Sequence, residues 1–300
     1  MLIENRNSAL VLLFRPGVSV DDIRYYLWSG SASEILAAIA EGKREVTVSV
    51  DLNKSVQVLT IESDFVVFDS GNSLTRDELL SICKKGSRVF VLEGNALRIL
   101  EYRGRSYYKL VPTEGAPTVE IDGVKMHRSK GIDPFEDAKL KVCQVVREGH
   151  RVLDTCGGLG YTAIWSARLG AMEVLSVERN EYIRNLRSEN PWSEDLSNAR
   201  IKLISGDVVE YIGALKTESI DSVIHDPPRF SLAGDLYGEA FYRQLYRVLV
   251  KGGGLFHYTG NPYLARRGNT FAANTARRLQ SAGFKKVVAK PQLLGIKAVR

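Results

Sequence analysis

Residues Arg151 to Tyr161, R-V-L-D-T-C-G-G-L-G-Y, join an apolar run to an acid and then to a cluster of glycines. Val152 and Leu153 suit a short buried strand that stops at Asp154. Gly157, Gly158 and Gly160 let the backbone turn tightly into a helix and leave amide groups open to a ligand. Such a turn suits a nucleotide. Glycines at a strand-to-helix turn also serve packing alone, so the strands that follow must decide.

Downstream, strand and helix patterns alternate. Val174 to Val177 reads as a second strand ending at Glu178, which lies 24 residues after Asp154. Ile201 to Ile204 leads to Ser205-Gly206-Asp207, Ile220 to Ile224 leads to His225-Asp226-Pro227-Pro228-Arg229-Phe230, and Leu255 to Tyr258 makes a fifth strand. Helical patterns cover Thr162 to Arg168, about Asn180 to Pro191, and Ala240 to Val250; Thr270 to Ala282 precedes a final pair of strands, Phe284 to Val288 and Leu293 to Val299. The alternation predicts an α/β, doubly wound, mostly parallel sheet, with ligands outside the carboxyl ends of its strands. Acids at successive strand ends then share one rim. Glu178 can accept from both hydroxyls of a ribose, and Asp226 with the φ-locked Pro227 and Pro228 presents rigid acceptors to a substrate amine. The scarce histidines His225 and His257 fall at adjacent strand ends, where they are candidates for a base, with structural roles as the alternative. A cysteine nucleophile is disfavoured, because none lies near Asp226 in sequence.

The first 120 residues carry no ligand motif. Ser19 with Asp22 and Ser31 with Glu34 are capping pairs for two short helices, and Thr75 with Glu78 caps another that runs to Lys85. Glu45 to Asp51, Ser55 to Ile61 and Phe65 to Phe68 read as strands, giving a smaller N-terminal α+β domain over 1–118. Pro112, Gly115, Pro117 and Gly123 mark a linker before a domain spanning 125–300. There, Asp133, Pro134 and Glu136 open a helix expected to reach Glu148.

Composition is that of a soluble globular protein, 44% hydrophobic and 25% charged. The run Ala9 to Phe14 is too short for a signal peptide or a membrane span, so a cytoplasmic location without membrane contact is expected. Cys83, Cys143 and Cys156 form no C-x-x-C pair, which speaks against disulfides and against a metal site. The net charge of +6 is unevenly spread: residues 1–120 hold 14 basic and 16 acidic side chains, leaving 27 and 19, or +8, for the remainder. From Asn261 to Arg300 there are nine basic residues, Arg266 and Arg267 among them, and no acid. A polyanion such as RNA is the partner this distribution suggests.

With these motifs in order, Lys125 to Arg300 resembles a class I S-adenosylmethionine-dependent methyltransferase. M-H-R-S-K-G-I-D-P, N-P-W-S and H-D-P-P-R-F resemble more closely an archaeal group of predicted methyltransferases. The resemblance implies that Asp154, Gly158, Gly160, Glu178, Gly206 and Asp207 bind S-adenosyl-L-methionine, with Gly158 and Gly160 near its methionine portion, Glu178 on the ribose and Asp207 beside the adenine. Asp226 would stand by the methyl group, and Pro227, Pro228, Arg229, Phe230, Arg266 and Arg267 would meet the substrate. Cys156 departs from the glycine usual at its position, and Arg229 separates Pro228 from the aromatic. D-P-P-x-F is similar to a motif of some ribosomal-RNA methyltransferases, which implies Phe230 as a stacking surface; the ordered motifs together with the acid-free basic tail make RNA the expected acceptor. Two other readings stay open. One is aminopropyl transfer from decarboxylated S-adenosylmethionine to a small-molecule amine, suggested by Leu236-Tyr237 and Phe241-Tyr242; the other is a non-enzymatic cofactor-binding protein.

Overall fold

The computed structural model describes residues 23–300 apart from 95, 231 and 261–269. The apolar run at Ala9, the cap at Ser19 and the pair Arg266-Arg267 therefore lie outside the described residues.

Seven strands form the main sheet: β1 (Arg151–Asp154), β2 (Glu173–Glu178), β3 (Ile201–Ser205), β4 (Ile220–His225), β5 (Leu249–Tyr258), β6 (Lys285–Lys290) and β7 (Gly295–Val299). Their spatial order is β3-β2-β1-β4-β5-β7-β6. The first five run parallel, and β7 pairs antiparallel with both β5 and β6. The chain leaves β1 toward β2 on one side and returns to β4 on the other, so the sheet's switch point opens above β1, between β2 and β4.

Helices cover both faces. On one lie α1 (Pro134–Val142), α2 (Tyr161–Arg168) and α3 (Glu181–Ser188), with Phe135, Ala138, Ile164 and Ile183 in a core that also takes in Val89, Tyr108 and Val119 from the N-terminal part. The other face carries α4 (Val208–Ala214), α5 (Glu239–Val248) and α6 (Thr270–Ser281), packed through Ile212, Phe241, Tyr242 and Leu279. Parallel strands buried on both sides require such continuous apolar runs, and Val152, Leu153, Val223 and Ile224 are fully buried.

Before α1, helices Ser29–Ala40 and Arg76–Cys83 pack on short antiparallel strands around their own core, which includes Leu27, Ile35, Leu59 and Ile82. Thr75 and Glu78 form the expected reciprocal cap.

Several expectations change. The stretch assigned to a linker is paired structure, with Thr118–Ile121 between strands Tyr107–Val111 and Val124–Lys125; Pro117 and Gly123 bound that strand rather than interrupt the fold. α1 ends at Val142 instead of Glu148. β5 begins at Leu249 instead of Leu255 and runs through Gly252 to Gly254, because the irregularity opposite Ile220 to Ser222 takes up three extra residues of β5. α4 was missed: its seven residues, closed by Gly213 and Ala214, are too few for a clear helical period. Among the described residues no helix is long and apolar enough to cross a membrane.

Candidate active site

Above the switch point lies a cavity of about 270 Å³. The glycine turn supplies Cys156, Gly157 and Gly158, β2 and its turn supply Glu178, Arg179 and Asn180, and Asp226 with Pro227 and Pro228 closes the far side. Ser106, Tyr108, Val119 and Ile121 of the N-terminal part line it as well, as do Met126 and His127.

Gly158 adopts φ +51°, a side chain there would point into open space, and its amide donates to Glu178 Oε2 at 3.0 Å. Glu178 Oε1 accepts from the Asn180 amide at 2.8 Å, so both oxygens of this rim carboxylate are held by backbone. Gly160, at φ +86°, caps α2 where a Cβ would fall 2.5 Å from Leu196 Cδ1; its hydrogen is a packing requirement, and it does not line the cavity.

Asp154 is fully buried behind the turn, with Oδ2 accepting from Ser176 Oγ at 2.8 Å. Its Oδ1 and the buried Arg187 Nη1 make no hydrogen bond among the described residues. Burial raises the Asp154 pKa from 3.8 to about 7. A carboxyl whose folded pKa is raised contributes stability that is complete below its unfolded pKa and lost as pH rises through the folded one. Thermal unfolding between about pH 4 and pH 7 should therefore show the wild type losing roughly 2–4 kcal/mol relative to Asp154→Asn. Parallel curves would remove the assignment.

Asp226 is half-buried, and its Oδ2 accepts from Lys141 Nζ at 2.7 Å. Lys141, 3% exposed, also meets Asp137 Oδ2 at 3.0 Å and lies 4.0 Å from the centroid of the Tyr258 ring. Asp137 in turn holds Arg128 at 2.7 Å. Burial opposes the ammonium charge, but Asp226, Asp137 and Tyr258 outweigh it and raise the Lys141 pKa. Sequence reading missed this cation. Its signal was a lysine on the buried stripe of α1, four residues after Asp137 and three after Ala138.

The histidine expectation is corrected. His225 and His257 are fully buried and do not line the cavity. His225 bonds Thr155 Oγ1 at 2.7 Å and the Leu236 carbonyl at 2.9 Å, while His257 bonds Tyr242 Oη at 2.8 Å. Burial lowers the His225 pKa to about 4 and lowers that of His257 as well. A strand end carries side chains to both faces, and these two turn into the core. His127 is the histidine at the cavity, bonded to Thr118 Oγ1 at 3.0 Å with its pKa lowered to about 4 by burial and the nearby Lys141.

Gly206 and Asp207 are also absent from the lining. Asp207 Oδ1 caps α4 through the Val209 amide at 2.8 Å, and its Oδ2 meets Arg179 Nη1 at 3.2 Å. It reaches the cavity only through Arg179. Cys156, remote from Asp226 in sequence, lines the same cavity; burial and Glu178 raise its thiol pKa, so a thiolate nucleophile is disfavoured on that ground instead.

A second cavity of about 550 Å³ shares Met126, His127, Pro227 and Pro228 with the first. Arg229 and Phe230 line it together with Lys125, Arg128, Lys130, Tyr237, Tyr258 and Phe271. No acid is among its described lining residues.

The sheet order, its antiparallel edge and a cavity at the switch point define a doubly wound, Rossmann-like fold. A solved spermidine synthase in complex with the transition-state analogue AdoDATO matches with a TM-score of 0.56 at 16% identity, over 70% of this chain and 75% of that one. No family model matches the chain. The uncharacterized protein MJ1233 of Methanocaldococcus jannaschii is 41% identical over 280 residues, 92% of this chain and 95% of that protein, and the chain belongs to the same family. Another protein of that organism, provisionally named a protein N5-glutamine methyltransferase, is 28% identical over 119 residues, 39% of this chain and 57% of that one.

Proposed function

We propose that the protein transfers a methyl group from S-adenosylmethionine to RNA. The observation that carries the reading is one cavity with the Gly158 amide and Glu178 at one end and Asp226 at the other. The fit to the cofactor rests on the open space over Gly158 and on a backbone-held carboxylate where a ribose would lie. When bound, S-adenosylmethionine supplies an electrophilic methyl group on a sulfonium. Gly158 would hold its methionine portion, Glu178 would accept from the ribose hydroxyls, and Arg179 with Ile183 would meet the adenine, with Asp207 acting through Arg179. Asp226 accepts a hydrogen bond from the acceptor and fixes its approach, and the apolar walls at Val119, Ile121 and Pro227 keep water from competing.

Aminopropyl transfer to a polyamine is not adopted. A polycationic acceptor needs carboxylates around it, and the second cavity offers Lys125, Arg128, Lys130 and Arg229 instead. The same cations, with the basic second half of the sequence, support RNA.

RNA nucleosides from a deletion strain and its parent, compared by mass spectrometry, should differ by one methylated species, and the purified protein should be retained on total RNA with an affinity that falls steeply with salt. Identical nucleoside profiles would sink RNA as the methyl acceptor. Retention independent of salt would sink the RNA part.

A further inference from the structure

We propose that the open face of β6 and β7 carries the RNA backbone beyond the acceptor, with Lys290 and Lys297 on the sheet, Arg147 beside them and Lys286 at the far end of β6 as its phosphate contacts. The inference deepens the reading above and rests on it for RNA being the partner; the surface itself stands on the sheet register and its charges.

The register sets these cations out in a row. Lys290 pairs with Gly295, which pairs with Tyr258 at the end of β5, and Tyr258 lines the second cavity. Lys290 thus stands at the rim of that cavity, two residues before Gln292, whose carbonyl accepts from Arg128 Nη1 at 3.0 Å. Lys297 pairs with Phe256 on one side and with Val288 on the other. Phe256 belongs to the core under α1, so Val288 and Lys297 share that face, and Lys290, two residues after Val288, shares it too. A diagonal pair such as Lys290 and Lys297 lies about 7–8 Å apart. The corner is open, for Val288 is 50% exposed. Burial, then Arg147 and then Lys290 lower the Lys297 pKa, as cations gathered around one ammonium do. None of the four has a carboxylate partner among the described residues, whereas the neighbouring Arg300 is paired with Glu218.

Lysines on an edge strand also discourage pairing with another chain. That role asks nothing of Lys297, which lies on the inner strand β7, or of Arg147. It also leaves Lys286 unexplained: at φ +46°, in the irregularity between Lys285 and Val288, it holds a left-handed backbone that glycine would hold without strain. Like charges held together repel, and a row of phosphates relieves the repulsion. A nucleic-acid strand presents one charge per nucleotide in a line, which is the form of this row, whereas the carboxylates of an acidic peptide stand on separate flexible stems.

The test is fluorescence anisotropy of the full chain with a labelled oligouridylate of about twelve nucleotides, read over a range of salt. Lys290→Gln and Lys297→Gln should each weaken binding about three- to tenfold at low salt, and each should lower the slope of log K against log salt by about 0.7, the value for one phosphate contact on a single strand. Lys286→Gly should do the same without lowering Tm, since glycine adopts the left-handed backbone freely. The triple variant should lower the slope by about two and keep its calorimetric affinity for S-adenosylhomocysteine within about twofold, since none of the three residues lines the first cavity. Lys43→Gln, Lys84→Gln and Lys85→Gln, combined, remove the same charge from exposed positions of the N-terminal part and should leave the slope unchanged. An unchanged slope in the β6 and β7 triple variant overturns the proposal and leaves the methyl-transfer reading standing, as does an equal loss in the N-terminal triple variant. A polyglutamate of the same length that binds as tightly overturns RNA as the partner of this face, and no binding of the oligonucleotide by the wild type overturns both this surface and RNA as acceptor. Loss confined to the β6 and β7 variants, in a protein that binds no S-adenosylhomocysteine, refutes the methyl-donor reading and keeps the surface.

Discussion

Glu178→Ala is expected to remove most binding of S-adenosylmethionine while leaving the protein folded. The side chain ends β2 and uses both oxygens on backbone, one on the Gly158 amide and one on the Asn180 amide. The first bond pins a glycine at φ +51°, a conformation that an unbound loop samples among many others. Alanine therefore deletes the ribose acceptor and also loosens the loop that would carry the methionine portion. Loss of a charge-assisted bond pair of this kind amounts to roughly 2–3 kcal/mol, or about a 30- to 150-fold rise in Kd by calorimetry. Fold stability should move less, by about 1 kcal/mol, because Glu178 is only half-buried. Glu178→Gln, which keeps an acceptor oxygen, should fall between the two. Unchanged binding in the alanine variant would refute the proposed site.

The largest effect on stability is expected from Lys141→Met. The side chain nearly fills the same space but deletes a cation that is 3% exposed and shared by Asp137 and Asp226. Removing the cation of such a group leaves the buried Asp137 and the half-buried Asp226 without their shared partner, at a cost of about 3–5 kcal/mol. For a chain of this size that is a fall in Tm of ~10 °C. Asp137 retains Arg128 at 2.7 Å, so the uncompensated partner is mainly Asp226. The double variant Lys141→Met, Asp226→Asn should accordingly recover much of the lost Tm in a calorimetric scan, a non-additivity that a purely steric role for Lys141 would not show. Additive losses would mean that Lys141 matters for packing alone.

Most of the main sheet was legible from Arg151 onward, because parallel strands buried on both faces leave apolar runs ended by acids and glycines, as at Val152 to Asp154 and Val174 to Glu178. The rim was legible for the same reason: a residue at the end of a strand has its position in space set by the sheet. What a sequence does not carry is the direction in which that residue points. His225 and Asp226 are neighbours in the chain, yet one enters the core and the other a cavity. Lys141 and the lining by Tyr108 and Ile121 escaped notice because they reach the site from elements far away in sequence, across contacts that no local period encodes. Asp207 caps a helix with one oxygen and holds Arg179 with the other, a division that a strand-end aspartate does not spell out in sequence.

The lining of the first cavity by Ser106, Tyr108, Val119 and Ile121 has a thermodynamic corollary. The roof and the floor of the chamber come from opposite halves of the chain, and one buried core runs through both. Any molecule that occupies the chamber binds only when both halves are in place, so its binding free energy is added to the stability of each by mass action. Occupancy and the integrity of the first third of the fold are thus linked functions. That links the N-terminal module, which carries no ligand motif of its own, to the site as one wall of the vessel in which the ligand is held.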